Sequence, residues 1–368
     1  MSQGLGLQPG RGFATVAENR ATAYVPSDSE EGRMSETGAR DASTETMPLV
    51  TVFGGSGFIG RYVAQRMARR GWRVRIAVRR PNEALFTRTY GVLGQVAPIQ
   101  ANIRDDESCR RAIAGSKAVV YAVGVLFNAG KNTFEAVQAE GPERVARLAA
   151  EAGVGTFTLV SAIGADPESP SEYARTKAAG EAAARSRFPS AVILRPSVVF
   201  GPEDDFFNRF AGMTRFTPAL PVVGGDTKFQ PVYVDDVAEA VARAAEGEAE
   251  SGATYELGGP EVESFRALMK RMLRHICRRR VIVELPRSVA LLQGRALEQI
   301  ARIGLTPPIT ADQVKLLAKD NVVADGAKTF ADLGMTPTAM GAILPTYLYC
   351  YRRHGQYDRN DPVGAQEE

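Results

Sequence analysis

Residues 50 to 64, VTVFGGSGFIGRYVA, pass from an apolar run through four glycines in seven residues into a segment of helical spacing. Glycine permits a tight turn and a close backbone approach, and a helix starting there offers free N–H groups and positive potential to a phosphate. Gly54, Gly55, Ser56, Gly57, Phe58, Ile59 and Gly60 are therefore candidate contacts for the pyrophosphate of a dinucleotide. A bare tight strand-to-helix turn is the bland alternative. Its position after an apolar strand, at the head of a βαβ series, favours the nucleotide.

Outward from the turn, strands are expected at 49–53, 73–78, 96–100, 118–123, 156–161 and 191–195. Helices are expected between them at 61–70, 105–114, 134–151 and 173–187. This alternation reads as an α/β chain with a Rossmann-like doubly wound parallel sheet and a smaller C-terminal α-rich or mixed region. Residues 47–260 would form the nucleotide-binding domain, with 201–228 as a lid or substrate-side insertion, and 261–357 a partner or membrane-side region. Residues 1–46 lack hydrophobic period and read as a disordered extension or a misassigned start, with Met34 and Met47 as alternative starts. Residues 358–368 read as a disordered tail.

The 368 residues are 44% hydrophobic with a formal charge of +3, too balanced for a nucleic-acid binder. Cys109, Cys277 and Cys350 lie far apart, and His275 and His354 are the only histidines. No disulfide framework or metal-ligand cluster is expected. No apolar run reaches the roughly 18–20 residues of a transmembrane helix.

Where an NAD site usually has an acid after its second strand, this chain has Arg79 and Arg80. Two guanidinium groups there would clasp a 2′-phosphate, favouring NADP(H) over NAD(H), unless they are merely solvated. Asn102 after strand three, Ala122 and Gly124 after strand four, and Pro196 complete the cofactor candidates. In SEYARTKAAGE, Tyr173 and Lys177 share a helical face. The lysine charge is expected to lower the phenol's pKa, and Lys177 to bond the nicotinamide ribose. Ser161, ending strand five, would orient a substrate carbonyl.

Together these residues resemble the short-chain dehydrogenase/reductase superfamily, with an NAD-dependent epimerase/dehydratase-like chain from about Leu49 to Gly259. VVFGPEDDFFNRFAGMTRF (198–216) and FQPVYVDDVAEAV (229–241) resemble more narrowly the nucleotide-binding accessory subunits of respiratory complex I, the NADH:ubiquinone oxidoreductase alpha-subcomplex subunit nine family. The resemblance implies tightly held NADP(H), a structural or assembly role on the peripheral arm near the membrane, and other complex I subunits as partners. It implies that Ser161, Tyr173 and Lys177 match catalytic positions without a known turnover. It also places the chain on the cytoplasmic face of a bacterial inner membrane or the matrix side of the mitochondrial one. The alternative is a free NADP(H)-dependent reductase, epimerase or dehydratase acting on a carbonyl or sugar-nucleotide substrate.

FRALMKRMLRHICRRR (265–280) sets Arg266, Lys270, Arg274 and Arg278 at fourfold spacing. Such a helix presents cations to anionic lipid headgroups, to an acidic partner, or to water alone. ILPTYLYCYRRHGQY (343–357) is expected either to dock at an interface or to close the core.

Overall fold

The computed structural model describes residues 47–301 and 310–357. Residues 1–46 and 358–368, expected to be an extension and a tail, lie outside the described residues. Strands β1 (Leu49–Phe53), β2 (Arg73–Val78), β3 (Val96–Gln100), β4 (Ala118–Tyr121), β5 (Thr156–Val160) and β6 (Val192–Pro196) join Thr254–Leu257 in one seven-stranded sheet. From one edge the order is Thr254–Leu257, β6, β5, β4, β1, β2, β3, and every pairing is parallel. The chain reverses its direction of winding between β1 and β4, and a doubly wound sheet opens its ligand crevice at the carboxyl ends there.

Successive side chains of a strand point to opposite faces, and two cores result. Val50, Val52, Val74 and Ile76 pack beneath helices α1 (Phe58–Arg69) and, further along the chain, Val234–Glu246. Phe53, Ala77, Val119 and Tyr121 pack on the other face against α2 (Asp106–Ile113), α3 (Glu140–Glu151) and α4 (Glu172–Arg187). Burial on both faces explains the nearly continuous apolar reading of these strands. The expected helix at 134–151 is α3 preceded by a wider, π-helical turn, Glu135–Ala139.

A third core lies in the C-terminal half. The helix Phe207–Met213 buries Phe207 and Ala211 against Leu268, Met269 and Met272 of the helix Phe265–His275. Phe206, Phe210, Phe229 and Phe265 meet ring to ring at 5.4–6.1 Å. The phenylalanine-rich segment that stood out in the sequence is thus largely core, although Phe216 is exposed. Within 343–357 the first half closes the core, whereas Tyr349 and Tyr357 stay exposed. Leu344, Tyr347 and Leu348 on the helix Met340–Leu348 are buried in this core.

The basic stripe is only partly a surface. Arg266 pairs with Glu284, and Arg278 donates to the Tyr351 carbonyl at 2.9 Å. Lys270, Arg274 and Arg279 remain exposed.

Candidate functional site

The glycine turn is built by exclusion. Gly54 adopts φ +79°, and a Cβ there would stand 2.8 Å from the Ala122 carbonyl oxygen. At Gly60 a Cβ would overlap the Gly54 carbonyl, so α1 packs directly onto the turn. The Gly57 N–H closes the turn on Gly54 O at 2.9 Å. Gly57 is also the N-cap of α1 and has no side chain to satisfy the first N–H groups. Helix α1 starts at Phe58, three residues before the expected start, which puts Phe58, Ile59 and Gly60 in its first turn.

A close backbone approach, unclaimed helical N–H groups and no acid in the first turn of α1 suit a pyrophosphate. Arg61 was missed as a supporting residue, although it directly follows Gly60. Its guanidinium donates to the Ser56 and Gly57 carbonyls at 3.3 Å each and faces Glu203 at 3.6 Å.

Arg79 and Arg80 take different partners. Arg79, just past β2, donates to the Asn132 side chain at 2.9 Å. Arg80 forms an exposed ion pair with Glu83 at 2.9 Å. Asn102 uses its side-chain oxygen locally, accepting from the Arg104 backbone N–H at 3.2 Å. Ala122 sits against Gly54, and Gly124 stands beside Lys177, where an added Cβ would lie 3.7 Å from Nζ. Pro196, buried at the end of β6, accepts from the Ile163 N–H at 3.0 Å.

Ser161 and Lys177 line one small internal cavity with Tyr121, Gln138 and Val160. Lys177 donates to the Val160 carbonyl at 3.3 Å, and its ammonium lies 5.8 Å from the Tyr173 ring centre. The Ser161 hydroxyl is buried without a hydrogen-bond partner, an orphan that a ligand oxygen would satisfy.

The electrostatic expectation for Tyr173 is corrected. Burial pushes its phenol up to about 12. Burial also brings Lys177 down to about 8, with Glu181 opposing that shift. Desolvation penalises the charged form of each group and is the leading cause of both shifts.

The first turn of α4 is fixed by Asp312, which no sequence signal revealed. Its carboxylate accepts from the Ser171 hydroxyl at 2.7 Å and from the Glu172 and Tyr173 N–H groups at 2.8 and 3.1 Å. Asn321 acts similarly one strand away, accepting from Ser197 and donating to the Ile163 carbonyl. Among the described residues, no cluster of three or more His, Cys, Asp or Glu could hold a metal, and no helix is long and apolar enough to cross a membrane.

The fold and turn agree with what known proteins show. Residues 50–258 match the NAD dependent epimerase/dehydratase family. NADH dehydrogenase (ubiquinone) 1 alpha subcomplex subunit 9, mitochondrial, of Arabidopsis thaliana is 32% identical over 88% of this chain and 83% of its own. The protein of the same name from Rattus norvegicus is 35% identical over 84% of this chain and 81% of its own. An NADPH-dependent quinone oxidoreductase of Escherichia coli, solved with NADPH, has the same fold, with a TM-score of 0.63 at 19% identity, covering 81% of this chain and 98% of that one. A buried parallel sheet headed by this glycine turn, and similarity running far beyond the dinucleotide fold into the C-terminal core, lead to one conclusion: the chain belongs to the NAD dependent epimerase/dehydratase family and, within it, to the family of NADH dehydrogenase (ubiquinone) 1 alpha subcomplex subunit 9.

Proposed function

We propose that this chain is an accessory subunit of respiratory complex I that holds NADP(H) as a resident part, on the peripheral arm near the membrane. The observation that carries the reading is the extent of similarity. The chain spans about four fifths of relatives named as complex I subunits, C-terminal core included. Both names carry the word mitochondrial, which supports the matrix side of the inner membrane and lends nothing to a bacterial location.

In the cofactor site, the N–H groups opening α1 and the backbone of Gly54–Gly60 would hold the pyrophosphate, and Lys177 beside Gly124 would reach the nicotinamide ribose. When bound, the nicotinamide supplies or accepts a hydride. Of the chain's own residues, Tyr173 is suited to hold or donate a proton rather than to take one. Tyr173 keeps its proton at Oη well above neutrality, whereas a general base works best with a pKa near the operating pH.

The reductase reading keeps one specific support, the orphaned Ser161 hydroxyl in the same cavity as Lys177. The two separate on substitution of Tyr173. Tyr173→Phe leaves assembly and respiration unchanged in an accessory subunit and abolishes carbonyl or sugar-nucleotide turnover in an enzyme. The remaining exposed cations, Lys270, Arg274 and Arg279, are proposed to face an acidic partner or anionic headgroups.

A further inference from the structure

We propose that Arg215, Arg278 and Arg280 form a binding site for the phosphate of an acidic phospholipid, with Phe216 and Val281 entering the headgroup layer beside it. The inference deepens the membrane-side placement proposed above and rests on it. It assigns residues other than the exposed Lys270, Arg274 and Arg279.

Three segments remote in sequence meet here: the end of the helix Phe207–Met213, the run after the helix Phe265–His275, and the turn Tyr349–Tyr351. Arg280 donates to the Thr214 carbonyl through Nε and Nη2 at 3.1 and 2.9 Å, which brings it to Arg215. Arg215 donates to the Cys350 carbonyl at 3.0 Å, and its guanidinium carbon lies 4.9 Å from the Tyr351 ring centre. Arg278 reaches the next carbonyl, that of Tyr351, at 2.9 Å. Burial, and then the charges of Arg280, Arg215 and Arg353, pull the Arg278 guanidinium below its ordinary pKa. Four positive charges are therefore felt at one place.

Their acceptors are backbone carbonyls, which carry no net charge. Among the described residues, no carboxylate lies within ion-pair distance of these four arginines, and the charges acting on Arg278 are all cationic. Arg266 and Arg271 of the preceding helix are by contrast matched by Glu284, Glu261 and Glu263. The buried Asp204 carboxylate acts on Tyr351, yet it is taken by Tyr347 and by backbone N–H groups. Cations near helix C-termini also answer the helix dipole. Each end carries roughly half a negative charge, so two ends offset about one charge of the four. The excess calls for an anion. Arg215 and Arg278 each give a single nitrogen to the protein, which leaves the rest of each fork for phosphate oxygens.

The neighbouring apolar groups decide the kind of anion. Phe216, next to Arg215, is 88% exposed, and Val281, next to Arg280, is 67% exposed. The Val281 N–H donates to the Pro218 carbonyl at 3.3 Å, so the two segments run side by side. Val283, also exposed, shares the Val281 face of the strand Val281–Glu284, opposite Ile282, which packs against the third core. Free phosphate or an acidic peptide would answer the arginines and leave these side chains in water. A lipid answers both, as exposed apolar groups edged by arginine do at a bilayer interface.

The test sediments the full-length protein with vesicles of phosphatidylcholine, alone or mixed with phosphatidylglycerol, at fixed ionic strength. Wild type is expected to bind the mixed vesicles and to leave the neutral ones unbound. Arg215→Ala and Arg280→Ala should each weaken binding about fivefold, the scale of one cation at a charged surface. Phe216→Ser, at a position too exposed to disturb the fold, should weaken it about fivefold as well. Arg111→Ala, which removes the same charge from α2, should change nothing. Unchanged binding in Arg215→Ala or Phe216→Ser, or an equal loss in Arg111→Ala, would overturn the site. Release by inorganic phosphate with no effect of Phe216→Ser would mark a free-phosphate site, and binding to polyglutamate in place of vesicles an acidic partner; either overturns the lipid assignment. Wild type that binds no vesicle yet co-isolates with membrane-bound partner subunits would overturn the site alone. Protein recovered only from the soluble fraction would overturn the membrane-side reading with it.

Discussion

Asp312 accepts the Ser171 hydroxyl at 2.7 Å across 141 residues of sequence. Through the Glu172 and Tyr173 N–H groups it also fixes the first turn of the helix that carries Tyr173 and Lys177. A carboxylate at a helix N-terminus is favoured by both hydrogen bonding and the helix dipole. The C-terminal half therefore holds the start of the helix that carries Tyr173 and Lys177 in position.

Replacing Asp312 by Ala leaves three donors short of an acceptor and should lower the unfolding free energy by about 1–3 kcal/mol. Asn, which keeps an acceptor without the charge, should cost less. Denaturant unfolding followed by fluorescence of the buried Trp72 measures both.

Gly60→Ala drives a methyl into the Gly54 carbonyl and the Gly55 Cα, backbone that cannot swing aside. The expected outcome is loss of bound nucleotide and destabilisation of about 1–3 kcal/mol or more. Gly57→Ala, whose Cβ would sit 3.2 Å from Gly54 O, should be milder on both counts. Nucleotide content after gel filtration and a thermal melt rank the two.

Lys177 sets a pH dependence of definite sign. Its folded pKa, about 8, lies below the ordinary 10.5. Between those values the unfolded chain binds more protons than the folded one, so this contribution to stability rises with pH from about 8. Below 8 both states are protonated, and the contribution is constant and unfavourable. Tyr173, raised from 10 to about 12, acts in the opposite sense only above pH 10. Unfolding free energies between pH 7.5 and 10 should therefore climb in wild type more steeply than in Lys177→Met.

The C-terminal helix is tied down by Tyr347, which donates to the buried Asp204 carboxylate at 2.6 Å. Tyr347→Phe leaves that carboxylate with backbone N–H donors only, those of Gly201, Phe207 and Asn208, and a loss of about 1–3 kcal/mol is expected. In an Asp204→Asn background the same substitution should cost less. A double-mutant cycle by denaturant unfolding measures the difference.

The sheet was legible because its central strands are apolar runs punctuated by glycine, and Gly54–Gly60 announced the turn. The seventh strand, Thr254–Leu257, was not. It is four residues long, and its Glu256 is buried against Arg195 at 3.4 Å, a pairing that no local pattern carries. The helix Val234–Glu246 went unassigned although its alanine-rich face is completely apolar. Asp312 and Asn321 act through partners brought near only by the fold, so their roles were invisible. Arg79 and Arg80, adjacent in sequence, reach different partners in the fold. The basic stripe suggested a surface, yet Arg266 and Arg278 are spent on Glu284 and the Tyr351 carbonyl.

The central claim, a resident nucleotide in a complex I subunit, is tested most directly by one purification. The tagged full-length protein is isolated from membranes in mild detergent, and its partner subunits and acid-released nucleotide are quantified together. The account predicts co-isolation of complex I subunits with about one NADP(H) per chain, retained through extended washing. Recovery of the protein alone, with nucleotide that exchanges freely, would contradict it.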